Sequence, residues 1–309
     1  MVITNVKGKY DENNISSLIL RLNFVFKHNN KELKNYDFQI SINYSDFTSI
    51  TSLIIYKILA YSLDNKCLLN PSANIDEITS LFAKFHLHDL IKAYYNQKDI
   101  DRIFSNIKPL QKNDFFVAPH PINREVVKSK DDLTSKYYDI IYDYYKDKNF
   151  EIIEYIKTCL VEISSNFLYH AENDEKSILM AEGNKKKVEI ISVDTSDGII
   201  SSMKEKFNKP DDKLLRLAFE RKVTSKIENG HCGTGLWLIN EIVNKLKGKL
   251  IIHSEGYVYR NIQGKVTIFA SSYWKGTIVY VKIPITEVLE INNFFSELLS
   301  KEKQYIWKI

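Results

Sequence analysis

Apolar residues recur along this chain with two periods, and the switches between them lay out its elements. Over residues 37–43 apolar and polar side chains alternate, as in a half-buried strand. Over residues 49–61, Ile50, Leu53, Ile54, Ile58 and Leu59 follow helical spacing. Pro71 and Asn74 punctuate the chain, and residues 78–95 read as a further helix. A Tyr-rich helix is expected from Asp131-Asp132 to about Tyr145. A second, over residues 150–171, carries Ile156, Leu160, Ile163 and Phe167 as an apolar stripe at spacings of four, three and four.

The remainder alternates strands with helices. Residues 177–182 and 188–194 are expected as strands of a hairpin joined through Gly183-Asn184. Pro210 and two aspartates open a helix to Arg221, and residues 234–247 form another, closed by Gly248. Strands are expected over residues 250–254, 265–270 and 277–283. A final amphipathic helix over residues 286–299 runs through Val288, Ile291, Phe295 and Leu298. This succession is the α/β class. Pro119, Pro121 and several polar residues mark residues 111–130 as a linker. The expected organisation is a smaller α/β domain over residues 1–110, the linker, an α/β domain over 131–285, and a C-terminal helix within 286–309. No internal repeat is evident.

Composition narrows the class. A length of 309 residues suits two modest domains, and 44% hydrophobic residues can fill their cores, so global disorder is excluded. The charge sum is 43 − 39 = +4 with the signs interspersed, which gives no nucleic-acid signal. Lys185-Lys186-Lys187 reads as a solvated hairpin edge. Cys67, Cys159 and Cys232 are odd in number and scattered, which argues against a disulfide framework or a cysteine metal site. His86 and His88 lack a third ligand. No basic segment leads into an apolar run at the N-terminus, and no stretch reaches membrane-spanning length. The expectation is a cytoplasmic protein without a membrane partner.

Three blocks carry candidate chemistry. Glu162, Asn166 and His170 are four residues apart, so a helix presents them as one polar stripe beside the apolar one. A carboxamide oxygen is a hard neutral ligand for magnesium, and a carboxylate can take a proton from an attacking group. The alternative is an ordinary solvated helix face. Asp194 ends the apolar strand of the second block, where a carboxylate can accept from an exocyclic amine. Gly198 follows and lets the backbone approach a base; a plain Asp-Gly turn is the alternative. In the third block, Gly233, Thr234, Gly235 and Leu236 open a helix whose free N–H groups favour an anion; an ordinary capped turn is the alternative.

Together, and in this order, the blocks resemble the GHKL superfamily, the ATP-binding fold of gyrase, histidine kinases and anti-sigma serine kinases. The first is similar to the family's N box and the other two to its glycine boxes. Lys275-Gly276-Thr277 resembles the Gly-Thr that leads into the family's last strand, and residues 218–226 resemble its lid. The resemblance covers about residues 131–285 and implies a GHKL α/β sandwich that binds ATP and Mg2+. By position it implies Glu162 as general base, Asn166 as magnesium ligand and Asp194 as the adenine acceptor beside Gly198. It further implies Gly233, Thr234, Gly235 and Leu236 at the phosphates, Thr277 supporting the adenine pocket, and His170 near phosphates or ribose. Two residues depart from the pattern: Ser196 stands at a usual glycine, and Trp237 follows Gly235-Leu236 where another glycine is common.

The helix over residues 150–171 contains only His170, so no phospho-acceptor histidine on a dimerisation helix is expected before the first block, nor a large domain after the third. The format is most similar to the anti-sigma serine kinase branch or a stand-alone regulatory ATPase. This implies a protein partner or substrate and allows a homodimer. A nucleotide-binding switch or interaction module with little or no turnover is the alternative. The N-terminal section loosely resembles a STAS domain, which makes Ser49, Thr51 and Ser52 candidate phosphorylation positions; simple helix capping is the competing reading.

Overall fold

The computed structural model describes residues 2–6, 9–27, 38–42, 48–64, 70–71, 98, 115–122, 130–147, 150–170, 177–225 and 233–285. The N-terminal elements are β1 (Val2–Val6), α1 (Ile15–Leu22), α2 (Phe24–Lys27), β2 (Phe38–Ile42), α3 (Ser49–Asp64) and β3 (Asn70–Pro71). Next come β4 (Phe115–Ile122), α4 (Lys130–Tyr145), α5 (Phe150–His170), β5 (Ser177–Asn184) and β6 (Lys187–Val193). The chain continues with α6 (Ile199–Lys204), α7 (Asp211–Leu217), α8 (Gly235–Lys245), β7 (Lys249–Ser254), β8 (Tyr257–Ile262), β9 (Lys265–Ala270) and β10 (Thr277–Pro284). The helices expected over residues 78–95 and 286–299 lie outside the described residues, as do His86, His88, Cys67 and Cys232.

Seven strands form an antiparallel sheet in the order β4-β5-β6-β10-β7-β8-β9, and β1, β2 and β3 form a small parallel sheet. The chain is therefore a mixed helix-and-sheet protein of the α/β class. Among the described residues, no helix is long and apolar enough to cross a membrane.

Helices cover both faces of the large sheet. Ile178, Met180, Ile191, Val193 and Ile278 join one core with Leu18 and Ile19 of α1 and Ile54 and Ile58 of α3. Their strand neighbours Leu179, Ala181, Val188, Ile190 and Val279 point the other way, into a core with Leu160 and Ile163 of α5 and Ile239 of α8. Two-sided burial explains why β5, β6 and β10 read as nearly continuous apolar runs instead of clean alternations. The N-terminal section thus shares a core with the sheet. Lys249 Nζ on β7 reinforces the junction, 3.0 Å from both Glu12 Oε1 and Asn13 Oδ1.

Several elements differ from expectation. Residues 111–130, read as a linker, contain the edge strand β4, which pairs with β5 and shifts register between Val117 and His120. Proline lacks the N–H needed by a central strand, but an edge or a bulge tolerates it. The β5–β6 hairpin turns at Lys185-Lys186 and not at Gly183-Asn184. Asn184 Oδ1 accepts from the N–H groups of Lys186 and Lys187 at 2.9 and 3.2 Å, which moves the turn two residues on. Strand β8 had no forecast. Its bounding turns are Glu255-Gly256 and Gln263-Gly264, with φ of 47° and 91°, and 51° and 90°. Both central residues at positive φ make the tight hairpin turn usually signalled by Asn-Gly or Asp-Gly.

Ser49, Thr51 and Ser52 are buried at the start of α3, and the Thr51 and Ser52 hydroxyls donate to Thr48 O at 2.8 and 2.9 Å. Ser49 borders a cavity of about 250 Å³ with Tyr280 and Glu189, on the α3 side of the sheet. Glu189 is held there from two sides: Tyr280 Oη donates to its Oε1 at 2.5 Å and Lys187 Nζ to its Oε2 at 2.6 Å.

Candidate functional site

On the opposite face of the sheet, a cavity of about 270 Å³ opens between α5, the ends of β6 and β10, α6 and the start of α8. Glu162, Asn166, His170, Asp194, Gly198, Gly233, Thr234, Gly235, Leu236 and Thr277 all line it. The three blocks, separated in sequence by other elements, therefore meet at one place.

Helix α5 accounts for the first block. Its buried positions Ile156, Leu160, Ile163 and Phe167 seat it on the sheet, which turns the adjacent stripe of Glu162, Asn166 and His170 toward the cavity, half-buried. Cys159, inside the same helix, is fully buried; desolvation, with a contribution from the Glu162 carboxylate, pushes its thiol far up and leaves it unreactive.

Asp194 continues β6 past its last paired residue and is 3% exposed. Its backbone is held from both sides: its N–H donates to Thr277 O at 3.0 Å, and Trp274 Nε1 donates to its carbonyl at 2.8 Å. Ser196 holds the side chain, its N–H and hydroxyl donating to Asp194 Oδ1 at 3.0 and 2.7 Å. Ser196 is not among the positive-φ residues, so it fits a turn position where a glycine was expected. Gly276 has φ of 92°, and a Cβ there would collide with Asp194 Oδ1; only glycine fits.

Gly198 borders the cavity and also packs against the β7–β8 turn. A Cβ on it would come within 2.5 Å of Ser254 Oγ and the Glu255 side chain. Those two side chains hold the start of α6. Ser254 Oγ accepts from Ile199 N at 2.9 Å, Glu255 Oε2 from Ser201 N at 2.7 Å, and Glu255 Oε1 from the Ser201 hydroxyl.

The glycine turn meets α5 directly. A Cβ on Gly235 would lie 2.6 Å from Glu162 Oε2 and 3.6 Å from Asn166 Oδ1. Thr234 is the N-cap of α8, but its side chain makes no capping bond to the first turn. Gly233 lies against the backbone of Lys222 and Val223. That segment closes one side of the cavity through Val223, Thr224 and Ser225. It is fastened at several points: Ser202 and Ser225 hydroxyls are 2.6 Å apart, and Lys206 Nζ donates to Thr224 O at 3.1 Å. Phe219 stacks on Tyr259 at 3.5 Å, and the Arg221 guanidinium lies 4.8 Å from the centre of the Trp237 ring.

The lining has a one-sided charge. Glu162, Asp194 and Asp197 contribute carboxylates, and no Lys or Arg is among the described lining residues. A cation fits this field, and a polyphosphate entering without one meets repulsion. Among the described residues no three His, Cys, Asp or Glu side chains cluster as a metal cage. A magnesium ion bound chiefly by phosphates needs only one or two protein oxygens, and Asn166 Oδ1 beside Gly235 is an oxygen of that kind.

Sequence reasoning missed Trp274, Ser254 and Glu255, whose roles depend on contacts across the sheet, and Val279. The last shares a strand face with Thr277, so the period of two was a usable signal for it. No protein-family model matches this chain, and no curated protein matches it.

Proposed function

We propose that the chain is an ATP- and magnesium-dependent regulatory ATPase or protein serine/threonine kinase of the GHKL type, acting on a protein partner. The observation that carries the proposal is the convergence of all three blocks on one cavity, with Gly235 against Glu162 and Asn166. In this reading Asp194 receives the exocyclic amine of adenine, with Thr277 beside it. The uncapped start of α8, at Gly233, Thr234, Gly235 and Leu236, offers N–H groups to the phosphates. Asn166 would hold magnesium, which supplies the charge neutralisation that the acidic lining demands. Glu162 is the group to accept a proton from an attacking water or hydroxyl, and His170 borders the ribose or phosphates. The cytoplasm is the proposed compartment. The sheet with α5 and α8 on one face is the arrangement a GHKL sandwich requires; the STAS-like reading of the N-terminal section rests on its sequence alone.

A nucleotide-dependent switch with little turnover is the second reading. The fastened segment over residues 219–225 favours it, because the Arg221–Trp237 contact and the Ser202–Ser225 pair would resist rapid exchange.

Calorimetry with ATP, with and without magnesium, tests the common premise. Wild type is expected to bind only with magnesium, Asp194→Ala to lose binding by tenfold or more, roughly the loss of a buried hydrogen bond to a charged group. Glu162→Ala should retain binding while any hydrolysis disappears. Absence of wild-type binding at millimolar ATP would sink the proposal. Binding without turnover under any partner condition would leave the switch.

A further inference from the structure

We propose that Ser196 is a positioning residue: it sets the Asp194 carboxylate so that the cavity prefers an aminopurine over an oxopurine. The inference rests on the nucleotide reading above and deepens it to the choice of base. Ser196 is 1% exposed, borders the cavity, and directs two donors at a single oxygen, Asp194 Oδ1. Its hydroxyl has one proton. Asp194 Oδ1 at 2.7 Å is nearer than Asp197 O at 3.1 Å, so the shorter contact takes it. Gly276 presses on the same oxygen from another side, where even a methyl group has no room. The Asp194 backbone is fixed as well, by Thr277 and Trp274. A glycine at position 196 would provide the N–H donor alone.

The consequence is selectivity. A base seated in the cavity meets a carboxylate whose orientation is already set. An ionised carboxylate only accepts hydrogen bonds, so it pairs with the exocyclic amine of adenine. An oxopurine brings a carbonyl to the same point, where two acceptors face each other without a proton. Discrimination of this kind depends on the carboxylate being unable to turn away, because a mobile side chain relaxes around the wrong base. Removal of the Ser196 hydroxyl takes away one of the two Ser196 donors to Oδ1, and the penalty against the wrong base falls more than the affinity for the right one.

The test uses the full chain with magnesium and compares ATP with inosine triphosphate, whose base carries a carbonyl in place of the adenine amine. Wild type is expected to prefer ATP by at least about tenfold. Ser196→Ala should cut that ratio to within about threefold of unity, mainly by better binding of inosine triphosphate. Ser196→Gly removes the hydroxyl without adding volume, so it makes the same test if the alanine variant fails to fold. Ser196→Thr keeps the hydroxyl and should keep the ratio. A purely structural role would weaken both nucleotides equally; an unchanged ratio in the alanine or glycine variant overturns the proposal. Wild type binding neither nucleotide is a distinct result, which removes the nucleotide reading itself.

Discussion

His253 is fully buried in β7, with Nε2 2.6 Å from Ser272 O, so Nε2 carries the proton and donates. Nδ1 has no hydrogen-bond partner, and burial pulls the ring down from 6.5 to about 4. The backbone bond to Ser272 works weakly against the shift, and no carboxylate contributes to it. The folded protein therefore keeps the ring neutral, whereas the unfolded chain takes up a proton near its ordinary value. The folded pKa is the lower one, so stability is lost as pH falls from 6.5 toward about 4 and is unaffected above that window. Urea unfolding at about pH 7 and about pH 5 should differ by roughly 2 kcal/mol more in wild type than in His253→Leu. Equal pH dependence in the two proteins would refute the assignment. Asp194 is the contrasting buried group at this scale, because its Oδ1 accepts from both the N–H and the hydroxyl of Ser196.

Among the elements, α6 depends most on distant help. It has six residues, its N-cap is Gly198, and no side chain of its own caps it. The caps come from Ser254 and Glu255 on the β7–β8 turn, more than fifty residues away in sequence. Glu255→Ala should cost about 1 kcal/mol, the usual value of a helix cap. It should also speed amide exchange over residues 199–204 and weaken the ATP binding proposed above, because Ser202 and Met203 of α6 line the cavity. Unaltered exchange there would show that α6 stands without the cap. Helices α5 and α6 together show where the sequence was readable. Glu162, Asn166 and His170 were legible because residues four apart share a helix face whatever the tertiary context. The partners of Gly198 were not, because nothing local in Asp197-Gly198-Ile199 points to the distant β7–β8 turn. Strand β8 was hidden by Glu-Gly and Gln-Gly turns, and β4 by prolines that only its edge position excuses.

At the scale of the whole molecule, the two covered faces of the sheet separate two kinds of site. The cavity lined by Asp194 and Gly235 lies with α5 and α8, and Ser49 lies with α3 on the other side, so the sheet stands between that cavity and Ser49 of the same chain. The N-terminal section also has a structural task. Ile178, Met180, Ile191, Val193, Ile278 and Trp274 are all at most 2% exposed beneath α1, α2 and α3. Re-exposure costs about 1.5–3 kcal/mol for each large apolar side chain. Six such losses approach or exceed the roughly 5–15 kcal/mol that holds a typical domain together. A fragment of residues 111–309 should therefore fail to fold cooperatively, bind a hydrophobic dye, and associate at concentrations where the full chain is monodisperse. Co-expression with residues 1–110 as a separate chain should restore a sharp melting transition, since the contact is a shared core and not a tether. A fragment that melts cooperatively by itself, without dye binding, would mean that the sheet tolerates an open face and that the N-terminal layer is an accessory.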